Sequence, residues 1–253
     1  MNVSDSTTCI KRHENITDRQ YALQWNNIDW KKAEKFVNRI QIRITKAVIA
    51  VDYNLVKRLQ YLITHSFYAK ALSVKRVTSS KGKNTPGIDG ITWNKSVDKM
   101  KAIYALDSKN YKCKPLKRVY IEKYGKLEKR PLGIPTMFDR AMQALYLLSL
   151  EPIFETKADN ISFGFRKYRS GHDAMSHIFN LLAPKKSGNW ILEGDIKGCF
   201  DNIQHKWLLD NIPMDKRILG KFLKAGFVFD KKLFPSNSGT PQGGLCKALH
   251  NPP

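Results

Sequence analysis

The clearest pattern along the chain is a stripe of apolar residues that begins near residue 30. Hydrophobic side chains recur there every three or four positions with basic residues between them, as on an α-helix with one buried face. A second helix of the same kind is predicted across Leu55, Leu59, Leu62, Ile63 and Phe67. Core packing explains both stripes. The first stripe consists of Trp30, Ala33, Val37, Ile40, Ile44, Ala47 and Val48.

A β-hairpin is predicted in the middle of the chain. Lys117–Glu122 and Arg130–Ile134 have the composition of two strands, and Tyr124–Lys126 forms the turn between them. A loop rich in glycine is predicted before it, over Ser79–Gly90. Helices are expected on both sides of the hairpin, over 95–106, 138–154, 170–182 and 206–225.

The C-terminal part predicts one more strand and a motif of paired glycines. Trp190–Ile196 is mostly apolar and contains Asp195 near its end, which favours a buried strand that ends in an acid. A short hairpin is predicted over Phe227–Leu233, and Gly239–Gly244 follows it. The polar segment 1–24 predicts a flexible leader.

The net charge of the chain indicates which class of molecule it binds. The 253 residues carry 44 basic and 22 acidic side chains, a formal net charge of +22, so a polyanion such as nucleic acid is the expected partner. Residues 1–130 hold 28 of the basic and 11 of the acidic groups, which places most phosphate contacts in this half. A generic basic surface is the alternative. No apolar stretch is long enough for a membrane span, and the scattered Cys9, Cys113, Cys199 and Cys246 argue against a disulfide or zinc framework.

The segment around Asp195 has the composition of a metal and nucleotide site. An acid at the end of a strand is held rigidly, and Mg²⁺ prefers carboxylate oxygens together with substrate phosphates. Gly198 would let a ligand approach the backbone, and Phe200 could form the wall of a sugar pocket. A helix cap or a surface turn is the alternative explanation for Asp195.

Two further groups of residues could bind a nucleotide. Lys123 and Arg130 lie seven positions apart across the predicted turn and could hold a triphosphate between them, unless the hairpin is simply basic and exposed. Gln242 precedes Gly243–Gly244, and two glycines beside an amide side chain would allow a nucleotide to approach closely. A bare turn explains these residues nearly as well. His172, His177 and His205 show no ligand spacing.

Five blocks in this order resemble the reverse transcriptases/maturases encoded by group II introns. The resemblance covers about residues 20–244 and rests on the order and spacing of the five blocks, since no single block is specific enough alone. The blocks are Thr85–Gly90 (TPGIDG), Lys129–Thr136 (KRPLGIPT) with Asp139, Arg140 and Gln143, Phe163–Arg166 (FGFR) with Ser170–Gly171, Asp195–Ile203, and Gly239–Gly244.

The resemblance implies an α+β fold, with a helix-rich N-terminal part followed by the fingers and a partial palm of a right-hand polymerase. The implied divisions are a flexible leader over 1–24, an N-terminal extension over 25–92, fingers over 93–190, a partial palm over 191–244 and a tail over 245–253 that departs from the family. The implied activity is RNA-directed DNA polymerisation with two Mg²⁺ ions, together with intron RNA binding and assistance in splicing. The implied partners are intron or template RNA, a DNA primer and dNTP, in the bacterial cytoplasm or an organelle.

The resemblance also assigns roles to single residues. Asp195 and the carbonyl group of Ile196 would bind the metal ions, and Lys123 and Arg130 would bind the triphosphate. The nucleotide pocket would comprise Phe200, which excludes the ribose 2′-hydroxyl, with Gly198, Cys199 and Gln242. RNA contacts would come from the loop that contains Lys83, Thr85 and Gly87.

One departure from the family limits the expected chemistry. The family has a Tyr/Phe-x-Asp-Asp hairpin downstream, whereas this chain has after Asp201 only the unpaired acids Asp210, Asp215 and Asp230. We therefore expect a truncated polymerase that does not add nucleotides as an isolated chain, unless a second polypeptide supplies the missing palm and thumb. A non-catalytic RNA-binding module and a decayed remnant are the alternatives.

Overall fold

The computed structural model describes residues 17–123, 125–164, 166–188, 190–196 and 198–240, and for residues 123, 126–128 and 199 the backbone alone. Within these residues, five helices precede the first two strands in the chain, and five more separate these from the last two strands. The helices are α1 (Asp18–Asn26), α2 (Trp30–Ile49), α3 (Tyr53–His65), α4 (Phe67–Ser79), α5 (Ser96–Ala105), α6 (Met137–Lys157), α7 (Gly171–Leu182), α8 (Cys199–Asn202), α9 (His205–Asn211) and α10 (Lys216–Leu223). The strands are β1 (Leu116–Lys123), β2 (Lys126–Ile134), β3 (Phe227–Phe229) and β4 (Lys232–Phe234).

The flexible leader predicted over 1–24 is wrong from Asp18 onward. Thr17 and Gln20 form a capping box in which each side chain accepts a hydrogen bond from the backbone of the other residue, and α1 starts there. Residues 1–16 lie outside the described residues. Tyr21 and Trp25 of α1 pack against the core, so the segment has an apolar anchor as well as a cap.

The core is built around α6. Its first half is buried nearly all round, including Met137, Met142 and Leu145, as expected for a helix enclosed by others. Helices α2, α3 and α4 pack against it. The predicted stripe of α2 is confirmed, because all its members except Trp30 are buried and Trp30 packs against the same core.

The stripe predicted across residues 55–67 belongs to two helices. Helix α3 ends at His65, and Ser66 starts α4 by accepting a hydrogen bond from the backbone N–H of Ala69. Leu59 and Ile63 are buried, whereas Leu62 and Phe67 are exposed. The apolar periodicity does not reveal the boundary between α3 and α4, because a serine cap inside an apolar run leaves the periodicity almost unchanged.

The four described strands form one mixed sheet in the order β2-β1-β3-β4. Strands β1 and β2 are antiparallel, β1 and β3 are parallel, and β3 and β4 are antiparallel. The two residues between β3 and β4, Asp230 and Lys231, both have positive φ, which gives the tight hairpin turn that matches strand twist. Both predicted hairpins are confirmed, and the α+β class is correct.

Two predicted elements differ from the structure. The helix expected over 206–225 is divided into α9 and α10, because Pro213 cannot donate a helical hydrogen bond and disfavours helical backbone in Ile212 before it. The strand expected over Trp190–Ile196 is wrong: the segment is irregular, and Trp190 and Leu192 are almost fully exposed. A strand needs a hydrogen-bonded neighbour, and in the described part of the chain no other strand lies beside this segment.

Candidate nucleic-acid interface

The outer side of α2 is a strongly basic surface. The helix buries its apolar stripe, so the basic residues between the stripe positions face solvent. Glu34 is the acidic residue of this helix, and its carboxylate lies 3.5 Å from Lys75 Nζ. The exposed basic residues, which we call the α2 basic face, are Lys31, Lys32, Lys35, Arg39, Arg43 and Lys46.

The loop that contains Thr85 and Gly87 is fastened to the start of α6 by Arg140. The Arg140 guanidinium donates hydrogen bonds to the carbonyl oxygens of Gly82 at 2.9 Å, Thr85 at 2.7 Å and Pro135 at 3.0 Å. Gly87 is buried, and a Cβ atom there would lie 2.6 Å from Thr136 Cα. This glycine therefore allows close packing of the loop against the start of α6. Lys83 and Thr85 of the same loop are exposed.

A buried carboxylate stabilises the same junction. Asp139 is 1% exposed and accepts a 2.6 Å hydrogen bond from the Tyr111 hydroxyl and another of 2.6 Å from the Thr136 hydroxyl. The Asp139 N–H donates to Thr136 Oγ1 at 3.1 Å, which caps α6. The network links the segment before β1 to the helix that follows β2. Asp139 stands in one of the five blocks, but the sequence around it does not predict that it links Tyr111 to the start of α6.

Burial changes the acidity of the groups in this network. It raises the pKa of the Cys113 thiol to about 12, and the nearby Asp139 carboxylate acts in the same direction. Burial also raises the pKa of the Tyr111 hydroxyl far above its ordinary value, again with Cys113 and Asp139 as smaller contributions. Both groups are therefore neutral near pH 7, and they act as packing and hydrogen-bonding groups.

The β1–β2 hairpin positions Arg130. In the antiparallel register Arg130 is paired with Ile121 and Lys129 with Glu122, and a bulge follows Glu122 before Lys123 pairs with Lys126. Arg130 is exposed. Lys123 therefore lies two residues beyond the partner of Arg130 on the neighbouring strand, and its side chain lies outside the described residues.

Asp195 lies in the irregular segment 190–196. Its side chain is exposed, and Ile196 beside it is 73% exposed. The predicted role of Asp195 assumed a buried strand end, and the structure does not provide that support among the described residues.

The start of α8 and the residues before the paired glycines lie together. The N–H of Thr240 donates to the carbonyl oxygen of Phe200 at 2.7 Å, and the N–H of Gly239 donates to that of Ile203 at 2.8 Å. Gly239 has φ +75° and passes so close to α8 that a Cβ atom would lie 2.7 Å from the Phe200 carbonyl oxygen. The structure therefore joins two motifs that the sequence separates, although Gln242 lies outside the described residues.

His205 and Gly198 complete this contact. His205 Nε2 is 2.8 Å from the carbonyl oxygen of Gly239, a positioning contact that ligand spacing could not reveal. Gly198 has φ +63°, the left-handed conformation that favours glycine, and its carbonyl oxygen accepts from Asn202 Nδ2 at 3.0 Å. The sequence prediction for Gly198 invoked ligand approach, whereas backbone conformation alone accounts for it.

Two glutamates of α6 fasten the FGFR block. Glu151 lies 3.5 Å from Arg76 and 2.9 Å from Lys167. Glu155 lies 3.2 Å from Arg166 and 3.3 Å from Arg169. Arg166, Lys167 and Arg169, which lie in or just after the FGFR block, are therefore paired with carboxylates of α6, and this pairing connects the block to that helix. They were not predicted, because charged pairs so far apart in sequence give no local pattern.

The described residues do not by themselves fit a two-magnesium site. No three His, Cys, Asp or Glu side chains among them come close enough to hold one ion. Two-metal phosphoryl transfer requires ligands that hold both ions, and Asp195 supplies one exposed carboxylate. In the same described ranges, no helix is both long and apolar enough to cross a bilayer.

Two family models match consecutive parts of the chain. The model described as the N-terminal domain of reverse transcriptase matches residues 25–106. The model described as reverse transcriptase (RNA-dependent DNA polymerase) matches residues 121–246, which include the end of β1, all of β2, α6 and the α8 contact. The chain belongs to the group II intron reverse transcriptase family. The family resemblance inferred from the five blocks is thus confirmed.

Relatives of known name support this assignment. The group II intron-encoded protein LtrA of Lactococcus lactis subsp. cremoris is 36% identical over 207 residues, which cover 79% of this chain and 34% of LtrA. Protein YkfC of Escherichia coli K12 is 37% identical over 218 residues, covering 79% of this chain and 56% of YkfC. A 91 kDa protein in a cob intron of Schizosaccharomyces pombe is 32% identical over 209 residues, covering 79% of this chain and 25% of that protein.

This chain thus spans between a quarter and about half of the length of these reverse transcriptase relatives.

Proposed function

We propose that this chain forms the RNA-binding N-terminal extension, the fingers and the first part of the palm of a group II intron reverse transcriptase, and that the isolated chain binds RNA without adding nucleotides. The observation that carries the proposal is the α2 basic face, which lies within the reverse transcriptase N-terminal domain. Each phosphate that such a surface neutralises releases counterions, and this release drives binding. Intron RNA is the proposed partner, because relatives are encoded in introns.

The proposed division of the chain follows its elements. An N-terminal extension over 25–92 would contain most of the N-terminal helices, fingers over 93–190 would contain the β1–β2 hairpin and α6, and a partial palm would begin at 191. The tail over 245–253 lies outside the described residues. The proposed location is the bacterial cytoplasm or an organelle, in keeping with relatives from bacteria and from eukaryotes.

The proposed nucleotide site draws on the hairpin and on the α8 contact. Lys123 and Arg130 would bind the triphosphate, which is supported by their position on one hairpin, where Lys123 lies two residues beyond Ile121, the partner of Arg130. The pocket for the nucleoside would be formed by Phe200 with Gly198, Cys199 and Gln242, and the contact of Phe200 with Thr240 supports this grouping. In RNA binding, Lys83 and Thr85 would make contacts, while Gly87 would hold their loop against Thr136.

The metal site remains the incomplete part of this proposal. Asp195 and the carbonyl group of Ile196 would be its first ligands, and Mg²⁺ would neutralise the charge of the triphosphate when bound. After Asp201 the chain carries three acids, and none is adjacent to another. One carboxylate does not hold two ions, so we expect no polymerisation by the 253-residue chain unless another polypeptide supplies the remaining carboxylates.

Primer extension tests the catalytic part of the proposal. The chain is incubated with an RNA template, an annealed DNA primer, dNTP and Mg²⁺, alone and together with a separately expressed polypeptide that carries a Tyr/Phe-x-Asp-Asp hairpin. We expect extension only in the mixture and none with Asp195→Ala. Templated synthesis by the isolated chain that Asp195→Ala abolishes would refute the proposed lack of activity.

RNA binding over a salt series tests the non-catalytic part. Filter binding of a structured intron RNA should weaken steeply as salt increases, because the basic surface exchanges counterions for phosphates. An affinity that does not change with salt, or no binding at all, would contradict RNA recognition by this surface.

The second candidate function is a maturase-like module that binds RNA and assists its folding without any chemistry. The observation that favours it is that α2 presents its basic residues to solvent, whereas the described residues bring no three metal-ligating side chains together. Accelerated folding or splicing of an intron RNA by the isolated chain, with no primer extension even in the complemented mixture, would identify this alternative as the function.

A further inference from the structure

A cleft of about 330 Å³ lies between the sheet, the end of α10 and the segment that follows β4. The strands contribute Arg118, Pro131 and Phe227, and the segment contributes Ser236, Ser238 and Thr240. Its lining is therefore a mixture of one guanidinium group, one carboxylate, one side-chain amide, several hydroxyl groups and apolar side chains.

Two residues that line this cleft each carry a polar atom that is buried without a hydrogen-bond partner. They are Arg118 Nε and Thr240 Oγ1, and Thr240 is only 6% exposed. Such groups lose their hydration on folding without recovering a hydrogen bond, so each requires an explanation. Valine would fill the same space as Thr240 without a hydroxyl group. Packing alone therefore does not require an unpartnered hydroxyl group at this position. A ligand with acceptor oxygens would satisfy both groups once a small movement of the cleft lining lets it reach them.

The Arg118 side chain is held in place by an aromatic ring. Its guanidinium carbon lies 3.8 Å from the centroid of Phe227, and β1 and β3 are adjacent in the sheet at this point. A planar guanidinium group that is already oriented loses little conformational freedom when it binds an anion.

The cleft lies on the other face of the hairpin from Arg130. Residues paired across antiparallel strands share a face, and successive residues alternate between faces. Arg118 pairs with Gly133 and Pro131 pairs with Tyr120, so these residues share one face. Arg130 pairs with Ile121 and belongs to the opposite face. The cleft is therefore separate from the proposed triphosphate contact of Arg130.

We propose that this cleft binds a phosphate group of the RNA backbone, with Arg118 and Thr240 as its hydrogen-bonding residues. Phosphate oxygens accept hydrogen bonds from guanidinium and hydroxyl groups, and the net charge of +22 favours an anionic occupant. Asp201 also lines the cleft and is the acidic residue among its described lining, with an exposed side chain that would reduce the affinity for an anion. The identity of the occupant as RNA rests on the proposed function.

Thermal unfolding of the full chain with inorganic phosphate tests the site itself. Phosphate should raise the unfolding midpoint above that in chloride of equal ionic strength, because a ligand of the folded state stabilises it. We expect the dissociation constant to increase about tenfold in Arg118→Gln and about fivefold in Thr240→Val, from the loss of a charged and a neutral hydrogen bond. Asp201→Asn should lower it.

Matched variants separate a lost site from a lost fold. Thr240→Val removes a hydroxyl group that has no partner, so without phosphate this variant should unfold at the wild-type temperature or above. Lys117→Gln removes the same charge one residue away on the opposite face of β1 and should leave phosphate binding unchanged. Unchanged phosphate stabilisation in both Arg118→Gln and Thr240→Val would overturn the proposal, as would an equal loss in Lys117→Gln.

Fluorescence anisotropy with a labelled intron RNA then tests the occupant. If the wild-type chain binds RNA and Arg118→Gln and Thr240→Val bind it more weakly, the phosphate belongs to RNA. If the wild type binds RNA and both variants bind it equally well, the inference is wrong while the proposed function stands. If the wild type binds no RNA, the proposed function fails and RNA is excluded as the occupant, whatever the result with inorganic phosphate.

Discussion

Arg140 and Thr85 lie 55 positions apart in sequence, and Arg140 Nη2 donates a 2.7 Å hydrogen bond to the Thr85 carbonyl oxygen. The same guanidinium group reaches the carbonyl oxygens of Gly82 and Pro135. A single side chain thus connects the loop after α4, the end of β2 and the first turn of α6. The proposed RNA contacts of Lys83 and Thr85 depend on this connection, because it fixes the backbone that carries them.

Arg140→Lys should destabilise the chain although it keeps the charge. A lysine ammonium group cannot reproduce the planar arrangement that contacts three carbonyl oxygens, so at least one partly buried carbonyl group loses its partner. We expect a loss of about 2 kcal/mol in the free energy of unfolding, measured by urea denaturation. Arg39→Lys on the exposed side of α2 is the control and should change stability by less than about 0.5 kcal/mol. Equal effects of the two substitutions would contradict the role of Arg140.

Gly87→Ala should also destabilise the chain, since the added Cβ atom would lie 2.6 Å from Thr136 Cα. Relief of this overlap requires movement of the backbone, at a cost of ~2 kcal/mol or more. Gly82→Ala is the matched control in the same loop, because the nearest atom to its Cβ would be Arg140 Nη1 at 3.8 Å. Urea denaturation should show little change for Gly82→Ala. If Gly87→Ala were equally mild, the close packing of this loop on α6 would be wrong.

Alkaline pH should reduce stability through Cys113. Burial raises the pKa of its thiol to about 12 in the folded state, whereas an unfolded cysteine titrates near about 8.5. Above the unfolded pKa the unfolded chain releases a proton that the folded chain retains, so stability is complete below about pH 8.5 and decreases as pH rises toward the folded pKa. The raised pKa of Tyr111 acts in the same direction at higher pH.

Urea denaturation between neutral and alkaline pH measures this effect. Cys113→Ala should make the decrease in stability with pH shallower, while its stability near pH 7 reports only the change in packing. An identical pH dependence of the wild type and Cys113→Ala would show that this thiol does not titrate differently in the two states.

Removal of charge from the α2 basic face should weaken RNA binding and its salt dependence. In Lys35→Gln/Arg43→Gln two exposed cations are lost, and the slope of the logarithm of affinity against the logarithm of salt should become shallower by about 1.4 if both contact single-stranded phosphates. Lys185→Gln/Lys186→Gln removes the same charge from an exposed segment of the second half of the chain and serves as the control. Equal changes in both variants would indicate a general charge effect and contradict an interface on α2.

Amino-acid patterns alone determined the parts of this protein in which the signal is local. The stripe of α2 repeats at helical spacing, and two strand-like segments with a glycine turn between them predict the β1–β2 hairpin. The order of the five blocks was sufficient to identify the family, because it depends on residue types and spacing and not on contacts. The break at Pro213 could also have been recognised, since its cause is one residue.

Only the tertiary structure decided the relationships between distant segments. Whether Trp190–Ile196 becomes a strand depends on a hydrogen-bonding neighbour, which its own apolar composition cannot specify. The buried position of Gly87, the contacts of Arg140 and the location of Arg118 and Thr240 in one cleft likewise arise from the way helices and strands pack. Periodicity reports which face of an element is apolar, whereas the partner of that face is set by packing between segments far apart in sequence.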